Sequence, residues 1–250
     1  MYIFSREGKW VLGADRVGGV ECGGALCKNA MEGGVSHGAI LFAGEQMRRE
    51  LQEAAAILGV SVEFLGMDTG AVTGSREEKL RLVEVIRRFR PEILLPQDPE
   101  HSLAALAPGR RPVMPMILEA VALASRPYAL EELPGLEPCP CPTIYYMTPE
   151  HPNCLVDIAS VWEKKVAAMD ALKLQLEVFG GEVSPQEEAL RARMIPGWEK
   201  LSTRLERGTA WKRQMDLAYA LYPGATGHCP VMLAEQYRRE GTFVLDNLLV

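Results

Sequence analysis

The sequence has few of the residues that build metal centres and disulfide scaffolds. It contains 4 histidines and 6 cysteines in 250 residues. No two cysteines form the CxxC pair that zinc ribbons and thioredoxin-like sites use, and the cysteines are too sparse to stabilise a chain of this length through disulfides. We therefore expect reduced thiols, with the pair Cys139 and Cys141, separated by one proline, as the alternative chelating site.

Long apolar runs and an excess of basic charge are missing as well. No segment approaches the ~18 consecutive apolar residues of a membrane-spanning helix. Residues 1–10 carry Arg6, Glu7 and Lys9 where a secretory signal would have its apolar core. Acidic residues outnumber basic ones by 33 to 27, which argues against a broad surface for nucleic acid phosphate. We expect a cytoplasmic protein with no nucleic-acid and no membrane partner.

The apolar residues that are present follow an alternating pattern of strands and helices. Apolar residues make up 48% of the chain and charged residues 24%, which is typical of a folded domain with a substantial core. Strand-like and helical patterns alternate through the first hundred residues, with strands predicted at 9–14, 35–43, 60–65 and 91–96. This order predicts a Rossmann-like α/β sandwich of three layers, with right-handed crossovers and a mostly parallel central sheet.

Several helix boundaries are also readable. Residues 45–58 have helical apolar spacing and end at Gly59, and residues 75–89 begin with the Ser75 and Glu78 pair of a capping box. Further strands are predicted at 143–147 and 154–157, and one long helix at 161–176. No linker divides the chain, so we expect a single domain of residues 1–250 with a helix-rich segment at about 159–250.

In sheets of this kind a ligand binds where the loops leave the carboxyl ends of the strands. The loops in question are residues 14–24, 44–50, 66–74 and 97–111. Glycines of the first loop do not follow the GxGxxG spacing, and no acidic residue ends the second strand. A dinucleotide-binding enzyme is therefore the less favoured interpretation.

Short segments in a recognisable order run through residues 10–240. They are CGG at 22–24, RRE at 48–50, AAAILGV at 54–60, FLGMD at 64–68, RPEI at 90–93, and VDI at 156–158 followed by lysines at 164 and 165. Together these segments resemble the LmbE-like family, also called the PIG-L or GlcNAc-phosphatidylinositol de-N-acetylase family. The resemblance implies the fold of zinc-dependent amidohydrolases that remove acetyl groups from N-acetylated sugars and related amines.

The resemblance fails at the residues that carry the family's chemistry. A zinc hydrolase needs protein ligands with an open position for water and a carboxylate base. Counting back from the CGG segment, the family's HPDD positions are Ala14, Asp15, Arg16 and Val17. Alanine and valine have no donor atoms, and Arg16 has a permanent positive charge at the position of the base.

The family's second motif, HPDH, is missing too. Residues 97–111 contain the single histidine His101, and no two of the chain's histidines, His37, His101, His151 and His228, stand three apart. A metal bound through relocated residues stays an alternative, either from Asp15, Asp98 and His101 or from His228 with Cys229. We expect no bound cofactor and no metal site, with Asp15, Arg16 and His101 as remnants of catalytic positions.

Residues that the family uses to hold substrate are retained. Arg48 and Asp68 match an arginine and an aspartate that bind substrate hydroxyls in the family. Arg48 could instead lie on a solvated helix face, and Asp68 could cap its own turn. The guanidinium of Arg16 is predicted to bind an anion together with backbone N–H groups of Gly18, Gly19 and the start of the helix after Gly24, unless Arg16 pairs with a nearby acid such as Asp15, Asp68 or Asp98.

These observations lead to two functional predictions of different class. The first is a noncatalytic relative that binds a small polar ligand, a sugar or an anion, through Arg16, Gly23, Gly24, Arg48, Asp68 and His101. The second is an active zinc-dependent N-deacetylase of a GlcNAc-type substrate with relocated ligands. A homo-oligomer is a further expectation, because Trp162, Trp198 and Trp211 could form an interface, although each could equally lie in the core.

Overall fold

The computed structural model describes residues 2–5, 18–68, 70–104, 110–228, 230–242 and 244, with side chains described from residue 21 onward except that of Arg110. The strands are β1 Tyr2–Ser5, β2 Val35–Ile40, β3 Ser61–Phe64, β4 Ile93–Leu95, β5 Thr143–Met147, β6 Cys154–Asp157 and β7 Ala234–Arg239. The helices are α1 Gly18–Met31, α2 Glu45–Leu58, α3 Arg76–Phe89, α4 Pro99–Ala104, α5 Arg110–Ala124, α6 Trp162–Asp170, α7 Lys173–Phe179, α8 Pro185–Met194 and α9 Arg204–Thr226.

The strands form one mixed sheet in the order β3-β2-β1-β4-β5-β7-β6. The β2–β3 and β4–β5 ladders are parallel, whereas β1 is antiparallel to both β2 and β4, and β7 is antiparallel to both β5 and β6. The α/β fold is thus confirmed, but the expectation of a mostly parallel sheet is corrected. The strands β2 to β6 do share one direction, and β1 and β7 are inserted between them in the opposite direction.

The start of the sheet differs from the prediction. The strand predicted at 9–14 lies outside the described residues, and the first described strand is β1 at Tyr2–Ser5. The pattern there was missed because the four residues YIFS are too short to show alternation. β1 lies between β2 and β4, which share one direction, and its backbone pairs with both of them.

Helices cover the sheet on both sides. Residues 36 to 40 of β2 are buried in succession, which is the pattern of a strand packed on both faces. Helices α1, α2 and α6 contact one another, α3 contacts α5, and α7 contacts α9. The capping box of α3 is confirmed, since the Ser75 hydroxyl accepts from Glu78 N–H and the Glu78 carboxylate accepts from Ser75 N–H. Gly59 ends α2 in the left-handed region, with φ of 74°.

The long helix predicted at 161–176 is wrong in one respect, because the chain breaks there into α6 and α7. The break falls at Ala171 and Leu172, and Leu172 is a buried residue of the core. This turn directs α7 away from α6 and toward α9, whose start is fixed by a capping box of Thr203 and Glu206. Trp198 is 2% exposed and belongs to the interior, while Trp162 is half-buried against the core.

The contact between α7 and α9 is made through backbone atoms. A Cβ built on Gly208 would overlap the Leu176 carbonyl oxygen, and one built on Gly180 would overlap the Arg204 carbonyl oxygen. Only glycine permits such an approach, so we name Gly180 and Gly208 the glycine crossing. It sets α7 against α9 one turn before Lys212.

No helix among the described residues combines the length and the apolar character that a membrane crossing requires.

Candidate functional site

A cavity of about 310 Å³ lies where β4 and β5 end and β7 begins. Strands that share a direction end at the same edge of a sheet, so this is the edge where the sequence predicted a ligand. Polar side chains of α1, α4, α6 and β7 form one wall, and α7 and α9 form the other. The lining residues are Glu21, His101, Thr148, Lys165, Phe179, Lys212, Met215, Asp216, Tyr219, Ala220, Ala234, Glu235 and Gln236.

Glu235 is the centre of the polar wall. Its carboxylate accepts hydrogen bonds from the backbone N–H of Gly24 at 2.7 Å and of Ala25 at 2.8 Å. It also accepts from the Lys165 ammonium at 2.6 Å and from the Tyr237 hydroxyl at 2.8 Å. The carboxylate therefore accepts from N–H groups in the middle of α1 and is itself well hydrogen-bonded, as a buried charge must be.

The contact with Glu235 explains one glycine of the pair at 23 and 24. Gly24, predicted as a ligand-binding residue, donates its N–H to Glu235 instead. A Cβ on Gly24 would lie 2.5 Å from Ile158 Cγ2 and 2.9 Å from Glu235 Oε1, whereas a Cβ on Gly23 would meet Leu58 Cδ1 at 3.4 Å. Gly24 is needed for close packing of α1 against β7, and Gly23 is not.

We expect Gly24→Ala to lower the free energy of unfolding by about 1–3 kcal/mol, the usual range for overpacking. Gly23→Ala is the matched control, because it has room and gains about 1 kcal/mol of helix propensity. Urea unfolding of the two variants measures the difference. Equal stability of the two variants would contradict the packing argument.

A second pair of buried charges lies on the opposite wall. The buried residues of α9 recur every three to four positions and form one stripe, Gly208, Lys212, Asp216, Ala220 and Pro223. The Lys212 ammonium donates to the Asp216 carboxylate one turn along the helix, and the two side chains are 5% and 6% exposed. Burial lowers the pKa of Lys212 and raises the pKa of Asp216, and the attraction within the pair opposes both shifts.

The direction of both pKa shifts means that burial of this pair costs stability. A lysine with a lowered pKa binds its proton more weakly in the folded chain than in the unfolded chain, and a carboxyl with a raised pKa loses its proton less readily. At neutral pH both shifts therefore favour unfolding. We expect the double variant Lys212→Met, Asp216→Leu to be about 1–2 kcal/mol more stable than the parent.

Chemical denaturation at pH 7 measures this gain, and the single variant Lys212→Met serves as the control. The single variant leaves the Asp216 carboxylate buried without its partner and should be less stable than the parent. A double variant that is less stable than both the parent and the single variant would show that the ion pair stabilises the folded chain.

Thr148 has the most unusual backbone in the cavity wall. It follows β5 directly and adopts φ of 48°, a left-handed conformation that a β-branched residue rarely takes. Its Oγ1 is buried and has no hydrogen-bond partner among the described residues. A strained residue with an unsatisfied hydroxyl in a cavity is typical of a binding position.

Two polar side chains of the cavity lining, Glu21 and His101, contact polar groups outside the lining. Gln97 donates to the Glu21 carboxylate at 2.9 Å. His101, on α4, has its Nδ1 3.0 Å from Glu150 Oε1 and is partly exposed. Of the residues predicted to bind a ligand, His101 is thus brought into the cavity lining.

Comparison with known proteins identifies the architecture. A conserved protein of Thermus thermophilus, TT1542, superposes with a TM-score of 0.68 at 21% identity, covering 94% of both chains. The N,N'-diacetylchitobiose deacetylase of Pyrococcus horikoshii gives 0.69 at 21% identity, with coverage of 93% of this chain and 84% of that one. This chain has the LmbE-like fold. The resemblance inferred from the sequence is confirmed at the level of the fold.

Hydratase matches from Pseudomonas putida were found in both the structure comparison and the sequence comparison. The structure of GalB, the 4-carboxy-2-hydroxymuconate hydratase, gives a TM-score of 0.62 at 24% identity, covering 96% of this chain and 99% of that one. A 4-oxalmesaconate hydratase is 28% identical over 183 residues, which are 60% of this chain and 66%, just under two thirds, of the relative. No protein-family model matches the chain.

The positions that correspond to the zinc motif of the LmbE-like family, Ala14, Asp15, Arg16 and Val17, lie outside the described residues. Within the described part, no group of three or more histidine, cysteine, aspartate or glutamate side chains could hold a metal ion. The alternative ligand Asp98 accepts from the Glu100 N–H and, at 2.9 Å, from Arg238 Nε. The donors of the described residues therefore do not fit a zinc site. Cys229, proposed beside His228, also lies outside them.

Two other residues that the sequence predicted to bind a ligand, Arg48 and Asp68, do not line the cavity. Arg48 donates through Nε to the Ala43 carbonyl at 3.1 Å and covers the ring of Phe64 at 5.3 Å. Asp68 accepts from Gly70 N–H at 2.9 Å and so caps its own turn, as the alternative interpretation held. Both follow β2 and β3, toward the far end of the sheet from the cavity.

Proposed function

We propose that this protein binds a small polar ligand in the cavity and does so without the zinc chemistry of the LmbE-like deacetylases. The observation that carries the proposal is Thr148, whose buried hydroxyl has no partner among the described residues and whose backbone is held at φ of 48°. A ligand with a hydrogen-bonding group at this point would satisfy the hydroxyl.

The composition of the cavity lining supports a ligand with polar and apolar parts. Polar members of the lining include Lys165, Glu235 and Glu21, and the large apolar surfaces come from Phe179, Met215 and Tyr219. The volume of about 310 Å³ is at the lower end of typical small-molecule pockets, about 300–1,000 Å³. A monosaccharide-sized hydroxylated compound fits both the size and the lining, and a small carboxylate fits the size.

The names of the relatives are consistent with such ligands. One relative acts on N,N'-diacetylchitobiose, and others on 4-carboxy-2-hydroxymuconate and 4-oxalmesaconate. All are small hydroxylated or carboxylated compounds. For this chain the class of the ligand is part of the proposal.

The test is a panel of N-acetylated monosaccharides, sugar phosphates and small hydroxy acids, scored by thermal shift and then by calorimetry. The protein is purified without a histidine tag, and its metal content is measured in parallel. Saturable binding by a preparation without stoichiometric zinc supports the proposal. One equivalent of zinc together with amide hydrolysis would overturn it in favour of a deacetylase with relocated ligands.

Thr148→Gly should separate stability from binding. We expect it to raise the free energy of unfolding by about 1 kcal/mol, because glycine adopts the left-handed region without strain. Loss of the hydroxyl should weaken binding by about five- to tenfold, the equivalent of one hydrogen bond. Ala129→Gly, at φ of 51° in a loop away from the cavity, is the matched control and should stabilise without weakening binding. A Thr148→Gly protein that binds as well as the parent would remove Thr148 from the site.

A further inference from the structure

Lys212 has a setting that ligand binding alone does not require. Its side chain is 5% exposed, lines the cavity, and lies 5.8 Å from the ring of Phe179. Its hydrogen-bond partner among the described residues is the Asp216 carboxylate. The amine is therefore held in a buried, partly apolar part of the cavity, in contact with the Asp216 carboxylate.

We propose that Lys212 is a carbonyl-binding residue, whose amine forms an imine with a small aldehyde or ketone in the cavity while Asp216 transfers the proton. This inference rests on the proposed function, since it requires the cavity to admit a ligand. Nothing in the described relatives' names assigns such a step.

The proton balance of the pair suits this chemistry. Burial lowers the pKa of Lys212, and the ammonium of Lys165 adds to that effect, while Asp216 and Glu21 oppose it. Burial raises the pKa of Asp216. Both shifts bring the two pKa values closer together, which makes the neutral amine and the protonated carboxyl easier to reach from the ion pair.

Ionisable groups of neighbouring elements line the cavity together with Lys212. Among the described residues they are Glu21 of α1, Lys165 of α6, Glu235 of β7 and His101 of α4. Glu235 is already neutralised by Lys165 and by backbone N–H groups. The acid best placed to exchange a proton with Lys212 is therefore Asp216.

The step balances with water as the sole by-product. The lone pair of Lys212 Nζ forms a bond to the carbonyl carbon, and the carbonyl oxygen takes the proton of the Asp216 carboxyl. The proton that the new ammonium releases returns to Asp216, which gives a neutral carbinolamine. Asp216 then protonates the hydroxyl, water leaves, and the nitrogen lone pair forms the C=N bond of an iminium that the Asp216 carboxylate neutralises.

Reductive trapping tests the inference. The intact protein is incubated with hydroxyacetone, a neutral ketone, or with pyruvate, an anionic one, and then reduced with sodium borohydride. Intact mass and peptide mapping report how many adducts form and where. We expect one adduct on Lys212 in the wild-type protein, and the ratio of the two probes shows whether the cavity prefers a neutral or an anionic carbonyl.

Variants provide the controls. Lys212→Arg keeps a positive charge next to Asp216 but has no nucleophilic amine, and it should lose the adduct completely. Lys164→Met, at an exposed lysine of α6, should leave the adduct unchanged. Asp216→Asn should slow trapping by about a hundredfold, the usual size of a general-acid contribution. Thermal unfolding verifies that each variant is folded.

The outcomes distinguish this inference from the proposed function. Adducts spread over exposed lysines, or an unchanged adduct in Lys212→Arg, would overturn the role of Lys212. Lactate and 1,2-propanediol, which have no carbonyl to trap, serve as binding probes. If they stabilise the protein while neither ketone is trapped, the cavity binds ligands but Lys212 forms no imine. If nothing binds and nothing is trapped, both proposals fail.

Discussion

Gly208→Ala should be among the most damaging single substitutions in the described part of the chain. The new Cβ would overlap the carbonyl oxygen of Leu176, a backbone atom that cannot rotate away. Helix α7 must then separate from α9, and we expect a loss of at least about 3 kcal/mol of unfolding free energy, at the upper end of overpacking. Because α7 and α9 form one wall of the cavity, ligand binding should fall with it.

Denaturant unfolding and ligand calorimetry of Gly208→Ala check both effects. Gly23→Ala is again the appropriate control, since it adds the same methyl group to a helix where the nearest atom is 3.4 Å away. Gly180→Ala should behave like Gly208→Ala, because its Cβ would overlap the Arg204 carbonyl oxygen at the same crossing. A stable Gly208→Ala protein with an unchanged cavity would disprove the glycine crossing.

Glu235→Ala should lower the free energy of unfolding by about 3–5 kcal/mol, because it leaves the buried Lys165 ammonium without its carboxylate. It also removes the acceptor of Gly24 N–H, Ala25 N–H and the Tyr237 hydroxyl. The middle of α1 should loosen more than the rest of the chain, which hydrogen exchange at Gly24 and Ala25 can resolve.

A double-mutant cycle with Lys165→Met separates the charge from the backbone contacts. If the cost of Glu235→Ala comes mainly from the stranded ammonium, adding Lys165→Met should recover about 1–3 kcal/mol. The remaining loss then belongs to the N–H groups of α1. Strictly additive losses would mean that the two side chains are energetically independent.

Much of the fold is predictable from local patterns. The capping box at Ser75, the glycine at the end of α2 and the strands at 143–147 and 154–157 agree with the structure, since each depends on a few consecutive residues. The direction of β1 and the insertion of β7 between β5 and β6 were not predictable. Register and direction depend on partners far along the chain, which a single sequence does not display.

The sequence predicts the edge of the sheet where the cavity lies, but not most of the residues that line the cavity. The edge of the sheet and His101 follow from the order of strands and from the family resemblance. Lys212 and Asp216 were missed because the sequence analysis predicts only a helix-rich segment at about 159–250. The available signal was that both charged residues fall at positions of the buried stripe of α9. Thr148 gave no signal at all, because its conformation and its unsatisfied hydroxyl exist only in the folded chain.

The hydrogen bond between Gly24 and Glu235 joins residues that are 211 positions apart. During synthesis on the ribosome, α1 emerges long before the carboxylate that its Gly24 and Ala25 N–H groups contact. Strand β7 also enters last and separates β5 from β6, so β6 gains its described strand neighbour only when β7 arrives. Closing so long a loop has an entropic cost, which slows the formation of contacts between its ends. The assembly of α1, β6 and β7 is therefore a late, cooperative event in folding. The cavity, which all of these elements border or support, does not exist until that event.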